Sequence, residues 1–128
     1  MKKILAAILA GLMALSMAAC GAAGSGTGDG SAKVYRVGII QLVTHDALDA
    51  ATKGFQDALT AELGEGSVKF DLQNAAGDSN TCATIVNSFV SNQVDLIMAN
   101  ATPALQAAAA ATADIPILGT SVTEYGVA

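Results

Sequence analysis

The segment Val34–Ile40, with the sequence VYRVGII, decides the fold because it joins β-branched and aliphatic residues with a single charge. A run of this composition predicts a strand that is buried on both faces of a sheet. Asp46 is the predicted cap of a helix that follows, in which apolar residues recur at helical spacing from Leu48 to Leu63. Gly64 ends this helix.

The same order of strand and helix then repeats. Val68–Leu72 alternates apolar and charged residues, which predicts a strand near the edge of the sheet. Asp78 is the predicted cap of a second helix, whose apolar face extends from Cys82 to Val90. Cys82 is therefore expected to be a buried thiol in the core.

A third strand, a third helix and a fourth strand complete the pattern. The strands are predicted at Val94–Ala99 and Ile115–Leu118, and Thr102 is the predicted cap of the helix between them, with Pro103 as its first residue. A β-α-β-α-β-α-β order predicts an α/β fold, namely a Rossmann-like (flavodoxin-like) parallel sheet with strand order 2-1-3-4.

Polar loops follow the predicted strands, at the edge where such sheets bind ligands. They are Gln41–Asp46, Asn74–Asp78, Asn100–Pro103 and Thr120–Glu124. Thr102 lies at a helix N-terminus, where backbone N–H groups favour a carboxylate. Ser121 and Thr123 add hydroxyl groups, and His45 can hydrogen-bond to a ligand or stack on it. Each of these residues also has a local explanation as a cap or surface residue, and Asn74 has one as a turn former.

Charge and residue usage exclude several classes of function. The net charge of −5 and the lack of a basic patch argue against a nucleic-acid partner. Two cysteines and one histidine, without metal-ligand spacing, predict no metal site. No serine lies in a Gly-x-Ser-x-Gly turn and no phosphate loop is present, so we expect neither enzyme activity nor a cofactor.

The N-terminal segment has the pattern of an export signal. Two lysines precede the apolar run Ile4–Ala19, which fits the central region of a secretory signal and is short for a membrane span. The run ends in the sequence MAAC, which resembles the lipobox of bacterial lipoproteins. This resemblance implies cleavage before Cys20 and lipidation of its thiol.

Residues 21–31, GAAGSGTGDGS, predict a flexible tether. We therefore predict a lipoprotein signal peptide at 1–19, lipidated Cys20 with a Gly/Ser linker at 20–33, and a folded part at 34–128. Loss of residues 1–19 leaves four basic against 11 acidic side chains, so lipid rather than charge would hold the protein at an anionic membrane. The expected location is the extracytoplasmic face of the cell membrane, in a periplasm or on a Gram-positive surface.

Four segments together resemble one family, the ABC-transporter substrate-binding lipoproteins of the tryptophan/tyrosine-uptake type. They are YRVGIIQLVTHDALDAATKGFQDAL (Tyr35–Leu59), QNAAGD (Gln73–Asp78), VDLIMANATPALQAAAAAT (Val94–Thr112) and IPILGTSVTEY (Ile115–Tyr125). Their order and spacing carry the resemblance more than any single motif does.

This resemblance implies a type I periplasmic-binding-protein fold of two lobes, with this chain as an incomplete N-terminal lobe from a longer protein. It also implies an ABC permease as partner and a small-molecule ligand, which we expect to be an aromatic or other hydrophobic amino acid. Carried over by motif, the ligand-binding positions are Gln41, His45, Asn74, Thr102, Pro103, Ser121 and Thr123. Glu124 stands where the family pattern has aspartate.

Three other interpretations stay open at this point. The same lobe would serve a lipid-anchored sensor or interaction domain, and a histidine kinase gene nearby would favour that function over transport. An exported Rossmann-like enzyme is less consistent with the sequence, because the glycine fingerprint and a catalytic set are missing. A truncated fragment without function is the third.

Overall fold

The computed structural model describes residues 33–127. Four strands alternate with three helices, and a short 3-10 helix follows. The strands are β1 (Tyr35–Gln41), β2 (Val68–Asn74), β3 (Leu96–Asn100) and β4 (Ile117–Thr120). The helices are α1 (Asp46–Leu63), α2 (Ser79–Ser91) and α3 (Thr102–Ala111), and the 3-10 helix covers Tyr125–Val127.

The strands form one parallel sheet with the order β2-β1-β3-β4, which confirms the predicted order 2-1-3-4. Gln41 at the end of β1 pairs with Asn74 of β2 on one side and with Asn100 of β3 on the other. Asn100 pairs in turn with Thr120 of β4. This register brings the last residues of all four strands to one edge, which we call the carboxyl edge.

The sheet has a hydrophobic core on each face, because successive residues of a strand point to opposite sides. Ile40, Ile97 and Ala99 pack with buried residues of α2 and α3. Val37, Ile39 and Met98 pack on the other face with residues of α1 that include Phe55 and Leu59. The α2 residue Cys82 is fully buried, as predicted.

The start of α1 differs from the prediction. His45, not Asp46, is the N-cap, and its Nδ1 accepts a hydrogen bond from the Ala47 N–H at 3.1 Å. Asp46 is the first helical residue. Its carboxylate stays in the first turn, where the positive end of the helix dipole favours it. The predicted cap of α2 is confirmed, since the Asp78 carboxylate accepts from the Asn80 N–H at 2.8 Å.

The start of α3 also differs. Its N-cap is Ala101, so Thr102 is the first helical residue and is not the cap. The sheet pairing extends farther than predicted, because the Ala101 N–H donates to the Thr120 carbonyl at 3.0 Å. The chain therefore turns at Ala101, which takes φ 98°, a backbone region that disfavours residues with a Cβ.

The predicted signal peptide and the lipidation site Cys20 lie outside the described residues, so the predicted region boundaries stay predictions. Within residues 33–127, no helix combines the length and the apolar character that crossing a membrane requires.

Gly38 permits a close contact between the sheet and a helix. A Cβ at this position of β1 would lie 2.7 Å from the ring of Phe89, which is itself fully buried in α2. Such a distance is not compatible with a side chain unless the ring or the backbone moves.

We expect Gly38→Ala to lower the free energy of unfolding by about 1–3 kcal/mol, because the added methyl overpacks the core. Gly54→Ala in α1 is the control, since a Cβ there meets nothing within 4 Å. Alanine in a helix interior should raise stability by about 0.5–1 kcal/mol. Urea denaturation measures both variants, and equal stabilities for the two would contradict the assigned packing.

Candidate functional site

Backbone hydrogen bonds join the loops that follow the strands at the carboxyl edge. The Gly77 N–H donates to the Leu42 carbonyl at 2.7 Å, which ties the loop after β2 to the loop after β1. The Leu42 N–H donates to the Asn100 carbonyl at 3.2 Å, which ties the loop after β1 to β3. Hydrogen bonds within the protein therefore fix these loops relative to one another.

Gln41 lies at the end of β1 and is only 4% exposed. Its Nε2 donates to the Val43 carbonyl at 2.9 Å and to Asp49 Oδ1 at 2.5 Å, while its Oε1 accepts from the Thr52 hydroxyl at 2.8 Å. All three bonds hold the first loop and α1 against the sheet. The structure thus gives this predicted ligand contact a structural task.

Asn100 extends the same network from β3. Its Nδ2 donates to the Leu48 carbonyl and to Thr52 Oγ1, both at 2.9 Å, and its side chain is fully buried. Asn100 Oδ1 is buried without a hydrogen-bond partner. Neither Thr52 nor Asn100 was among the predicted site residues. The sequence did contain signals for both residues. Asn100 is polar at the end of an apolar strand, and Thr52 lies on the apolar face of a helix.

His45 and Asn74 perform local tasks in the loops. His45 is exposed and caps α1 through Nδ1. Asn74 Oδ1 accepts from the Ala76 N–H at 2.8 Å, and its Nδ2 donates to the Thr44 hydroxyl at 3.2 Å. The first of these bonds forms an Asx turn, so the explanation of Asn74 as a turn former fits the structure.

The other predicted residues gather around the N-terminus of α3. Thr102 Oγ1 accepts a long hydrogen bond, 3.4 Å, from the Thr123 N–H. Pro103 is the second residue of the helix, and Ser121 follows β4 in a left-handed conformation at φ 56°. The N-cap Ala101 provides no side-chain hydrogen bond to the first turn. This end of the edge therefore carries hydroxyl groups beside a helix N-terminus without a side-chain cap.

A cavity of about 560 Å³ lies at the other end of the carboxyl edge, between α1 and β2. It is lined by Gln41, Thr44, Asp49, Thr52, Lys53, Gln56, Leu72 and Asn74. Of the predicted ligand-binding residues, only Gln41 and Asn74 line it. The predicted set thus falls into two groups, one at this cavity and one around α3.

Two further residues have structural roles. Tyr125 donates its hydroxyl proton to the Gly119 carbonyl at 3.0 Å and covers β4 beside α3. Burial raises the pKa of the Cys82 thiol, and the Asp78 carboxylate adds to this rise. A thiol with a raised pKa in the core is a poor nucleophile, in keeping with a packing role.

An ion pair lies at the opposite edge of the sheet. Asp95 accepts the Arg36 N–H at 2.8 Å and pairs with Lys33 Nζ at 2.9 Å. These two bonds, the backbone one first, lower the pKa of the Asp95 carboxyl. No group of three or more His, Cys, Asp or Glu side chains suited to a metal occurs in residues 33–127.

Fold and loops together define a Rossmann-like α/β domain with its polar groups at the carboxyl edge. Residues 36–127 match the family model described as ABC transporter substrate binding protein. The chain therefore belongs to the ABC transporter substrate-binding protein family. Relatives that bind aromatic amino acids confirm the predicted resemblance to the tryptophan/tyrosine-uptake type.

A curated relative, the tyrosine-binding protein of Clostridioides difficile (strain R20291), is 43% identical over 136 residues. The match covers 96% of this chain and 38% of that protein, so the chain spans little more than a third of the length of the relative.

Two solved structures share the fold. The ligand-free, open structure of CD0873, a Clostridium difficile substrate-binding protein with adhesive properties, is 44% identical with a TM-score of 0.70, over 73% of this chain and 32% of that one. The ABC domain from Streptococcus pneumonia in complex with L-Trp is 38% identical with a TM-score of 0.68. This match covers 72% of this chain and 32% of that one. The expectation of a binding protein rather than an enzyme agrees with this family.

Proposed function

We propose that the protein is an extracytoplasmic solute-binding lipoprotein of an ABC importer and that it binds an aromatic or hydrophobic amino acid at the carboxyl edge. The N-terminus of α3 is the observation that carries this proposal. Ala101 has no side chain that can cap the first turn, so the helix offers its N–H groups and the positive end of its dipole to a ligand. The tyrosine-binding relative and the structure in complex with L-Trp support an amino acid as that ligand.

The carboxylate of the amino acid would bind at this N-terminus. The Thr102 hydroxyl stands beside the first turn, and Thr123 is in reach of it, since the Thr123 N–H already approaches Thr102 Oγ1 at 3.4 Å. A bond of that length is weak, so the hydroxyl loses little when it turns to donate to a carboxylate. Pro103 lacks an N–H group and fixes the backbone of the first turn.

Transport and anchoring complete the proposal. The family model describes substrate-binding proteins of ABC transporters, which supports an ABC permease as the partner. The apolar run and the MAAC sequence support lipidation at Cys20 and a position on the outer face of the membrane.

We expect Thr102→Ala to weaken the binding of L-tyrosine and L-tryptophan by about 1–3 kcal/mol, because a hydrogen bond to a charged carboxylate is lost. Titration calorimetry on the whole protein measures this change. Thr84→Ala is the control, since Thr84 is an exposed helix residue whose hydroxyl bonds only within α2. Equal affinities for the two variants would contradict a role for Thr102 in carboxylate binding.

The anchor is tested by the intact mass of the native protein, extracted from membranes with detergent. We expect a polypeptide that begins at Cys20 and carries a diacylglyceryl group, and we expect Cys20→Ser to shift the protein out of the membrane fraction. A membrane-bound product of unmodified mass, still present in the Cys20→Ser strain, would contradict lipidation at this residue.

A further inference from the structure

The cavity between α1 and β2 has no task in the binding of a carboxylate at α3. Its volume of about 560 Å³ is in the range of small-molecule sites. Thr44 and Asn74 place its mouth at the carboxyl edge, the same edge at which Thr102 lies. The side chains that line the cavity determine which chemical group it accepts.

Asp49 provides the charged acceptor of the cavity. Its Oδ1 accepts the Gln41 amide at 2.5 Å, whereas its Oδ2 has no hydrogen bond among the described residues. Gln41 is held in turn by Thr52, and Thr52 by Asn100. The bonds from Gln41 through Thr52 to Asn100 are buried and orient the exposed Asp49 carboxylate, so an incoming donor meets an acceptor that needs little rearrangement.

Leu72 provides an apolar surface opposite the helix. It belongs to β2, lines the cavity and is 49% exposed, which is high for a leucine in a strand. Lys53 and Gln56, whose side chains have aliphatic stems, line the α1 side. An aromatic ring would cover Leu72 and these stems while a polar atom on its rim faces Asp49.

The two ends of the carboxyl edge are within reach of one ligand. Neighbouring strands lie about 4.8 Å apart, so the ends of β2 and β3 are separated by roughly 10 Å along the carboxyl edge. Because α1 and α3 pack on opposite faces of the sheet, a ligand that joins the two sites passes over the strand ends. This distance is comparable with the length of an extended aromatic amino acid. A carboxylate bound at α3 therefore directs the side chain of the ligand along the edge toward the cavity.

We propose that the cavity receives the aromatic side chain of the amino acid and that Asp49 accepts a hydrogen bond from the phenol hydroxyl of tyrosine or the indole N–H of tryptophan. The inference rests on the proposed function, because it assigns the side chain of the same ligand. It makes Asp49 the residue that separates tyrosine and tryptophan from phenylalanine, whose ring has no donor to offer the carboxylate.

Calorimetric titration of the whole protein with L-tyrosine, L-tryptophan and L-phenylalanine tests this assignment. We expect phenylalanine to bind at least tenfold more weakly than tyrosine. Asp49→Ala should weaken tyrosine and tryptophan tenfold or more and leave phenylalanine within about twofold, since the lost interaction is one that phenylalanine does not make. The ratio of tyrosine to phenylalanine affinity is the decisive readout, because a general loss of folded protein does not change it.

Asp46→Ala is the matched control. Asp46 lies in the same first turn of α1 as Asp49, so both variants lose the same favourable charge near the helix dipole, but Asp46 does not line the cavity. We expect the ratio of tyrosine to phenylalanine affinity to be unchanged in this variant. Leu72→Ser, at a half-exposed position, should weaken all three ligands together and leave the ratio as it is.

The outcomes separate this inference from the proposed function. If the unaltered protein binds phenylalanine as tightly as tyrosine, or if Asp49→Ala and Asp46→Ala give the same ratio, the role of Asp49 is wrong and amino acid binding still stands. If none of the three amino acids binds, the proposed function is wrong and the inference falls with it.

Discussion

The hydroxyl group of Thr52 is the point on which the carboxyl edge depends. It accepts a hydrogen bond from Asn100 at the end of β3 and donates one to Gln41 at the end of β1. Two adjacent central strands are thereby joined to one helix through a single buried oxygen. Buried polar groups are costly when unpaired, so this network specifies how α1 sits on the sheet and where the first loop begins. Asn100 Oδ1 is buried in this network without a hydrogen-bond partner.

A rigid edge of this kind suits a binding protein, because the loops need not be ordered by the ligand. The network holds the loop after β1, and backbone bonds join that loop to the loop after β2 and to β3. Ala101 and Ser121, next to the N-terminus of α3, have positive φ, as do Ala76 in the loop after β2 and Gln93 after α2. Strained backbone is tolerated where surrounding contacts hold it, and it often marks functional sites.

Much of the fold followed from hydrophobic patterning, whereas the site did so only in part. The runs Val34–Ile40 and Val94–Ala99 predicted buried strands in the observed order, and the apolar face of α2 predicted buried Cys82. The strand ends were predicted short, because Gln41 and Asn100 are polar and an apolar pattern stops before them. The sheet nevertheless continues through both residues, since the Gln41 amide and the Asn100 Nδ2 group are hydrogen-bonded within the network.

Capping residues show the same limit at a finer scale. Asp46 and Thr102 are good caps by residue type, yet His45 and Ala101 take those positions. The position of a cap depends on where the preceding strand or loop ends. Tertiary hydrogen bonds, such as that from the Ala101 N–H to the Thr120 carbonyl, determine that end. The cavity beside Asp49 could not be predicted either, because it depends on how far α1 lies from β2.

Amide chemical shifts on titration with L-tyrosine show whether the ligand binds at the carboxyl edge. In a ¹⁵N-labelled sample of the whole protein, we expect the largest shift changes in the loops after the four strands, at residues 42–45, 75–78, 101–105 apart from Pro103, and 121–124. Saturable binding with the largest amide shift changes at the opposite edge, around Tyr35, Leu63 and Asp95, would contradict ligand binding at the carboxyl edge.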